Sequence, residues 1–86
     1  MRTIWKYPLE MTDVQTILMP TGPILSVQIQ YGIPSMWVLV ESDARKIERR
    51  FAVYGTGNSI PGTSGQYIGT FQMHGGMMVF HLFELL

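Results

Sequence analysis

The chain has 86 residues, no cysteine, and six basic against six acidic side chains; 47% of it is hydrophobic and only 14% charged. That length makes one domain, residues 1–86, able to bury roughly 60–65% of its unfolded surface. The missing cysteines exclude a disulfide framework and a thiolate metal site, and the cancelled charge excludes the basic surface of a direct DNA binder and the acidic surface of a DNA mimic.

No basic leader with an apolar core opens the chain, and no run approaches the roughly 20 apolar residues of a membrane span. The expected setting is therefore the cytoplasm, with no membrane contact. Charged residues are scarce against the about 25% of typical domains. Seven methionines add soft surface of the kind found at adaptable binding faces. A domain this short gains missing burial by self-association, so a homo-oligomer is expected.

Residues 2–9 (RTIWKYPL) read as a first strand, with Trp5, Tyr7 and Leu9 on one face and Ile4 and Lys6 on the other. Pro8 cannot donate a ladder hydrogen bond, which places this strand at an edge or ends it there. Thr12 and Asp13 make a turn into a second strand, 14–19, which stops at the breaker cluster Pro20, Thr21, Gly22 and Pro23. Residues 24–31 alternate cleanly: Leu25, Val27, Ile29 and Tyr31 inward, Ser26, Gln28 and Gln30 outward. A period of two marks a half-buried strand. Gly32, Ile33, Pro34 and Ser35 are expected to turn the chain into 36–41 (MWVLVE), apolar on both faces and hence central.

Residues 42–50 (SDARKIERR) are the only charge-rich stretch. Ser42 or Asp43 could cap at most one helical turn near 42–48; a hairpin connection or an edge strand starting near Ile47 fits as well. Three further runs follow, 51–54, 67–73 and 77–86, punctuated by glycines at 55 and 57, at 62–65, and at 75 and 76. Gly-Gly between apolar runs is a hairpin signal, because tight primed turns need positive φ. About seven short strands with turns between them predict an all-β fold, a small antiparallel β-sandwich or partly open barrel. The last strand carries Met77, Val79, His81 and Phe83 on one face and Met78, Phe80, Leu82 and Leu85 on the other. Such a strand is either central and covered on both sides or covered by a second subunit; the shortness of the chain favours the subunit.

The candidate ligand-binding residues centre on the loop Gly55, Thr56, Gly57 and Asn58, whose backbone N–H groups could cradle an anion. It lacks the Lys-Ser/Thr ending of a phosphate-binding nucleotidase loop, and no helix follows it. Arg49 and Arg50 just precede it and suit phosphate, which guanidinium grips with two bonds. Tyr54 and Trp5 could stack on a planar base. Gln15, Gln28, Gln30 and Gln72 are amides suited to polar recognition, and His74 stands in a loop beside two glycines. His81, in an apolar strand, reads as a core or interface residue. The two histidines straddle a turn and do not make a metal-ligand pair on one element. No serine or cysteine partner is identifiable for nucleophilic catalysis, and the carboxylates are scattered. The reading is non-enzymatic, without metal or cofactor.

The runs WKYPL at 5–9, TDVQ at 12–15, ILSVQIQ at 24–30, WVLV at 37–40, YGTG at 54–57, YIGTFQMHGG at 67–76 and VFHLFE at 79–84 together resemble a family of small uncharacterised proteins carried by bacteriophages and prophages. The resemblance covers nearly the whole chain and brings no activity. It implies a setting, the cytoplasm of an infected bacterial host, and with it a counter-defence role. The expected function is a sponge that sequesters a nucleotide-derived immune signal, a small phosphate-bearing ligand. The alternatives are a protein-binding inhibitor of a host defence protein and a minor virion or assembly protein.

Overall fold

Seven strands form close to the runs marked out by the sequence. The computed structural model describes residues 1–62 and 65–86; within the predicted glycine break at 62–65, Thr63 and Ser64 lie outside the described residues. The strands are β1 (Arg2–Pro8), β2 (Val14–Pro20), β3 (Ile24–Gln30), β4 (Ile33–Glu41), β5 (Lys46–Gly55), β6 (Gln66–Met73) and β7 (Met78–Leu85), with one short 3-10 turn at His74–Gly76. They make a three-stranded sheet in the order β1-β4-β3 and a four-stranded sheet in the order β2-β5-β7-β6. Every pairing is antiparallel. The fold is an all-β sandwich, not a closed barrel.

The core lies between the sheets. Met36, Val38 and Val40 of β4 face Phe51 and Val53 of β5, Phe71 of β6 and Leu82 of β7, with Leu9, Met19 and Val27 completing the cluster. Trp5 and Tyr7 pack against its margin, as the alternation in 2–9 predicts. β1 is an edge strand and β4 is central, matching the positions expected from Pro8 and from the two-sided apolar run.

Two expectations for residues 24–35 are corrected. A β-bulge between Ile24 and Ser26 leaves Leu25 unpaired and 50% exposed, so Ile24 rather than Leu25 turns to the core. An extra residue shifts every earlier side chain to the opposite face. Tyr31 is 93% exposed because the hairpin turn is Tyr31-Gly32, both with positive φ (51° and 77°), between the paired residues Gln30 and Ile33. A two-residue primed turn matches the strands' natural twist, which leaves Ile33, Pro34 and Ser35 inside β4.

Residues 42–45 form a turn rather than a helix, anchored by the Ser42 N–H donating to Met1 O and the Ala44 N–H to Glu41 O. β5 starts at Lys46 and lies inside its sheet, not at an edge. Gly22 is required by close packing: a Cβ there would overlap the Leu39 carbonyl oxygen, where the Leu39 N–H also bonds Pro23 O.

β5 and β6 both run antiparallel to β7, which lies between them. They are therefore parallel to each other, and residues 56–65 must cross from one end of the sheet to the other. The described part of this crossover passes over the outer face of β7: Ile60 lies beside His81, Phe83 and Tyr67, and Pro61 and Gly62 beside Arg50 and Leu85. Ala52, an outward-pointing residue of β5 paired with Phe83, is fully buried. The chain itself thus covers part of the second apolar face of β7, which lies inside its sheet between β5 and β6. Leu85 shares that outer face with Arg50, not the face of Phe80 and Leu82.

Candidate functional site

Arg49 and Arg50 are neighbours in sequence and point to opposite faces of β5. Arg49 turns between the sheets, only 9% exposed. Its Nε and Nη2 donate to the two carboxylate oxygens of Glu84, both at 2.7 Å, and Nη1 donates to Pro20 O (3.2 Å) and Gly22 O (2.9 Å). Its guanidinium carbon lies 5.9 Å from the Phe51 ring centre. A guanidinium so fully engaged is structural, and the expectation that Arg49 holds phosphate is corrected. Trp5 is corrected likewise: it belongs to the other sheet and packs on the core, away from the loop it was expected to serve.

The outer face of the four-stranded sheet gathers the rest. Tyr54 of β5 pairs with His81 of β7, which pairs in turn with Thr70 of β6. Phe83 is clasped edge-on between Tyr54 and Tyr67, each at 5.6 Å between ring centres. A second bulge, between Tyr67 and Gly69, puts Tyr67 and Thr70 on one face despite their odd spacing.

Hydroxyls and imidazole form a continuous chain there. Tyr67 Oη lies 2.6 Å from Thr70 Oγ1, Thr70 Oγ1 3.0 Å from His81 Nδ1, and His81 Nε2 2.7 Å from Thr56 Oγ1. Thr56 Oγ1 donates to Val79 O at 3.2 Å. A carbonyl only accepts, so the direction follows for a neutral ring: Thr56 accepts from the Nε2–H of His81, and Nδ1 accepts from Thr70. His81 and Tyr67 of this hydrogen-bond chain, with the loop 55–58, Ile60 and Phe83, line an open cleft of about 260 Å³. Its walls are aromatic and its polar atoms belong to hydroxyl, amide and imidazole groups.

The loop 55–58 differs from a simple anion cradle. The Thr56 N–H donates to Val79 O and the Asn58 N–H to Gly55 O, so two of its four backbone donors are committed. Gly57 supplies the positive φ (89°) that the turn needs. The loop acts as the rim of the cleft, with Thr56 joined to its floor.

Arg50 lines an adjoining open cleft of about 580 Å³ with Val14, Pro61, Gly62, Gly65, Leu85 and Leu86. Among the described residues it takes part in no ion pair. It stands four residues from Tyr54 on the same face of β5, about 13 Å along the strand.

The remaining candidates disperse. Gln72 pairs with Val79 on β6, and His74 sits exposed at the turn into β7. Three of the four glutamines singled out from the sequence are bonded within the chain: Gln15 clasps the Glu10 backbone, Gln28 donates to Ser26, and Gln30 accepts from Lys6. His81, Thr70, Tyr67 and Phe83 were not selected from the sequence. His81 shares its strand parity with Phe83, but its meeting with Thr56 and Thr70 depends on register, which one sequence does not display.

These features define a small two-sheet β-sandwich with a polar-floored, aromatic-walled cleft under its one long crossover. The whole chain, residues 1–86, matches the family model described as Domain of unknown function (DUF7352), and the chain belongs to that family. No curated protein and no solved structure matches it.

Proposed function

We infer that the protein is a non-enzymatic binding protein for an extended, nucleotide-derived ligand, held on the outer face of the four-stranded sheet. The supporting observation is the presence of two clefts on one face: an aromatic-walled one beside the loop 55–58 and one beside Arg50, which makes no ion pair among the described residues. The first suits a planar base, met by Tyr67 or Phe83 and by the amide of Asn58. The second suits a phosphate, gripped by guanidinium. Arg50 and Tyr54 stand about 13 Å apart along β5, a reach that suits a dinucleotide or ADP-ribose-type molecule better than a mononucleotide. The resemblance of the motif set to phage proteins makes sequestration of an immune signal, in counter-defence, the biological form of this reading.

Calorimetric titration of cyclic dinucleotides and ADP-ribose isomers, linear and cyclic, tests it. One charged hydrogen bond is worth roughly 1.5–3 kcal/mol, so Arg50→Ala should weaken binding tenfold to a hundredfold. Arg49→Met should leave the affinity of the folded fraction unchanged. If no nucleotide binds the wild type and pull-downs from defended cells recover a protein, the protein-binding inhibitor replaces this reading.

A further inference from the structure

The tip of the β6–β7 hairpin concentrates soft donors. Three of the seven methionines, Met73, Met77 and Met78, and one of the two histidines, His74, fall within six residues. Met73 and Met78 are the last ladder pair of the hairpin, so their side chains share a face with Cβ atoms about 5 Å apart. The Met77 N–H donates to His74 O at 3.2 Å and closes the turn, which brings the ends of the 74–77 segment together. Met77 is 87% exposed and Met78 46%, and both open onto one cleft of about 460 Å³ between the tip and the loop 55–58, with Phe80 also lining it.

The backbone here is unusual. His74, Gly75 and Gly76 have φ of 54°, 67° and 92°, three left-handed residues in succession. Two are glycines, which adopt this region freely; a non-glycine residue in it is uncommon, histidine less so than most. A Cβ at Gly75 would meet nothing within 4 Å, so the space above the turn is open.

No group of three His, Cys, Asp or Glu side chains converges among the described residues. Hard divalent cations and zinc therefore find no donor set of the usual kind. Thioether sulfur is a soft, uncharged ligand that selects Cu(I), and imidazole suits copper as well. In a chain without cysteine, methionine is the only sulfur donor, and half-buried or exposed thioethers are accessible without unfolding the core.

We propose that the hairpin tip binds one soft, monovalent, filled-shell cation, Cu(I) or its analogue Ag(I), through the Sδ atoms of Met77 and Met78, with Met73 Sδ and the His74 imidazole completing the site. This site shares the loop 55–58 as a common wall with the nucleotide cleft, but its assignment does not rest on that cleft's reading.

Ag(I) is the probe, since it shares the charge and filled d shell of Cu(I) without cycling oxidation state. Titration in chloride-free buffer is followed by the methyl NMR signals of ¹³C-methionine-labelled protein. One Ag(I) per chain should shift the methyls of Met77 and Met78 saturably and leave those of Met1 and Met11, which are also exposed, in place. Met77→Leu keeps the size of an exposed side chain, and His74→Asn keeps a residue tolerant of the left-handed region; each should weaken binding at least tenfold with an unchanged circular-dichroism spectrum. Equal shifts at Met1 and Met11, wild-type affinity in both variants, or Zn(II) binding at the same place as tightly as Ag(I) would each overturn the proposal.

Discussion

Arg49 and Glu84, 35 residues apart in the chain, meet between the two sheets in a two-pronged ion pair with both N–O distances at 2.7 Å. The pair ties β5 to β7, while Nη1 reaches across to the carbonyls of Pro20 and Gly22 at the end of β2. Such a pair adds little against a well-packed apolar replacement, yet breaking it strands a charge with poor access to water.

Glu84→Leu alone should therefore destabilise the protein by about 3 kcal/mol, and Arg49→Met by a similar amount. The double variant should recover most of the loss. Urea unfolding of the four proteins in a double-mutant cycle measures this. Additive losses would show that the two side chains act independently.

Tyr7 provides a handle on pH. Burial raises its phenol above the ordinary value of 10.0, and the positive charge of Arg49 opposes that rise. A raised folded-state value means the neutral phenol is favoured in the native protein. The associated stability is fully present below pH 10 and is lost as pH climbs through the raised value. Thermal melts between pH 8 and 11 should show a decline above pH 10 that is shallower in Tyr7→Phe.

Gly22 is expected to resist substitution more than Gly57. A Cβ at Gly22 would strike the Leu39 carbonyl, whereas at Gly57 it would enter open space and bear only the positive φ. Gly22→Ala should cost about 1–3 kcal/mol, the range of forced overpacking, and Gly57→Ala about 0.5–1 kcal/mol. Denaturant midpoints for the two variants give the comparison; an equal loss would contradict the close approach.

The hydrogen-bond chain from Tyr67 to Val79 O predicts a single histidine tautomer. Neutral His81 should carry its proton on Nε2, where Thr56 accepts it, with Nδ1 accepting from Thr70. Nitrogen-15 ring shifts at pH 8 distinguish the two tautomers directly. Thr70→Val should leave the fold intact and release that preference, since Nδ1 then loses its donor.

Local pattern determined a good deal of this protein. The alternation of Trp5, Tyr7 and Leu9, the apolar run 36–41 and the glycine breaks set seven strands, an edge position for β1 and a central one for β4. Side-chain period and turn chemistry act over a few residues, and such features are legible in one sequence. Tertiary structure decided the rest. Two bulges, at Leu25 and Ile68, changed which side chains share a face, and a single inserted residue leaves no mark on composition. The parallel relation of β5 and β6 brought Ile60, Pro61 and Gly62 to the outer face of β7, giving part of that face a cover from within the chain. The opposite fates of Arg49 and Arg50 follow from strand parity only once β5 is known to begin at Lys46 and to lie inside a sheet. The site at His81 exists because Thr56, just after β5, and Thr70 and Tyr67 of β6 meet on β7. Contacts of that kind depend on register between distant strands, and register is set by how the whole core packs.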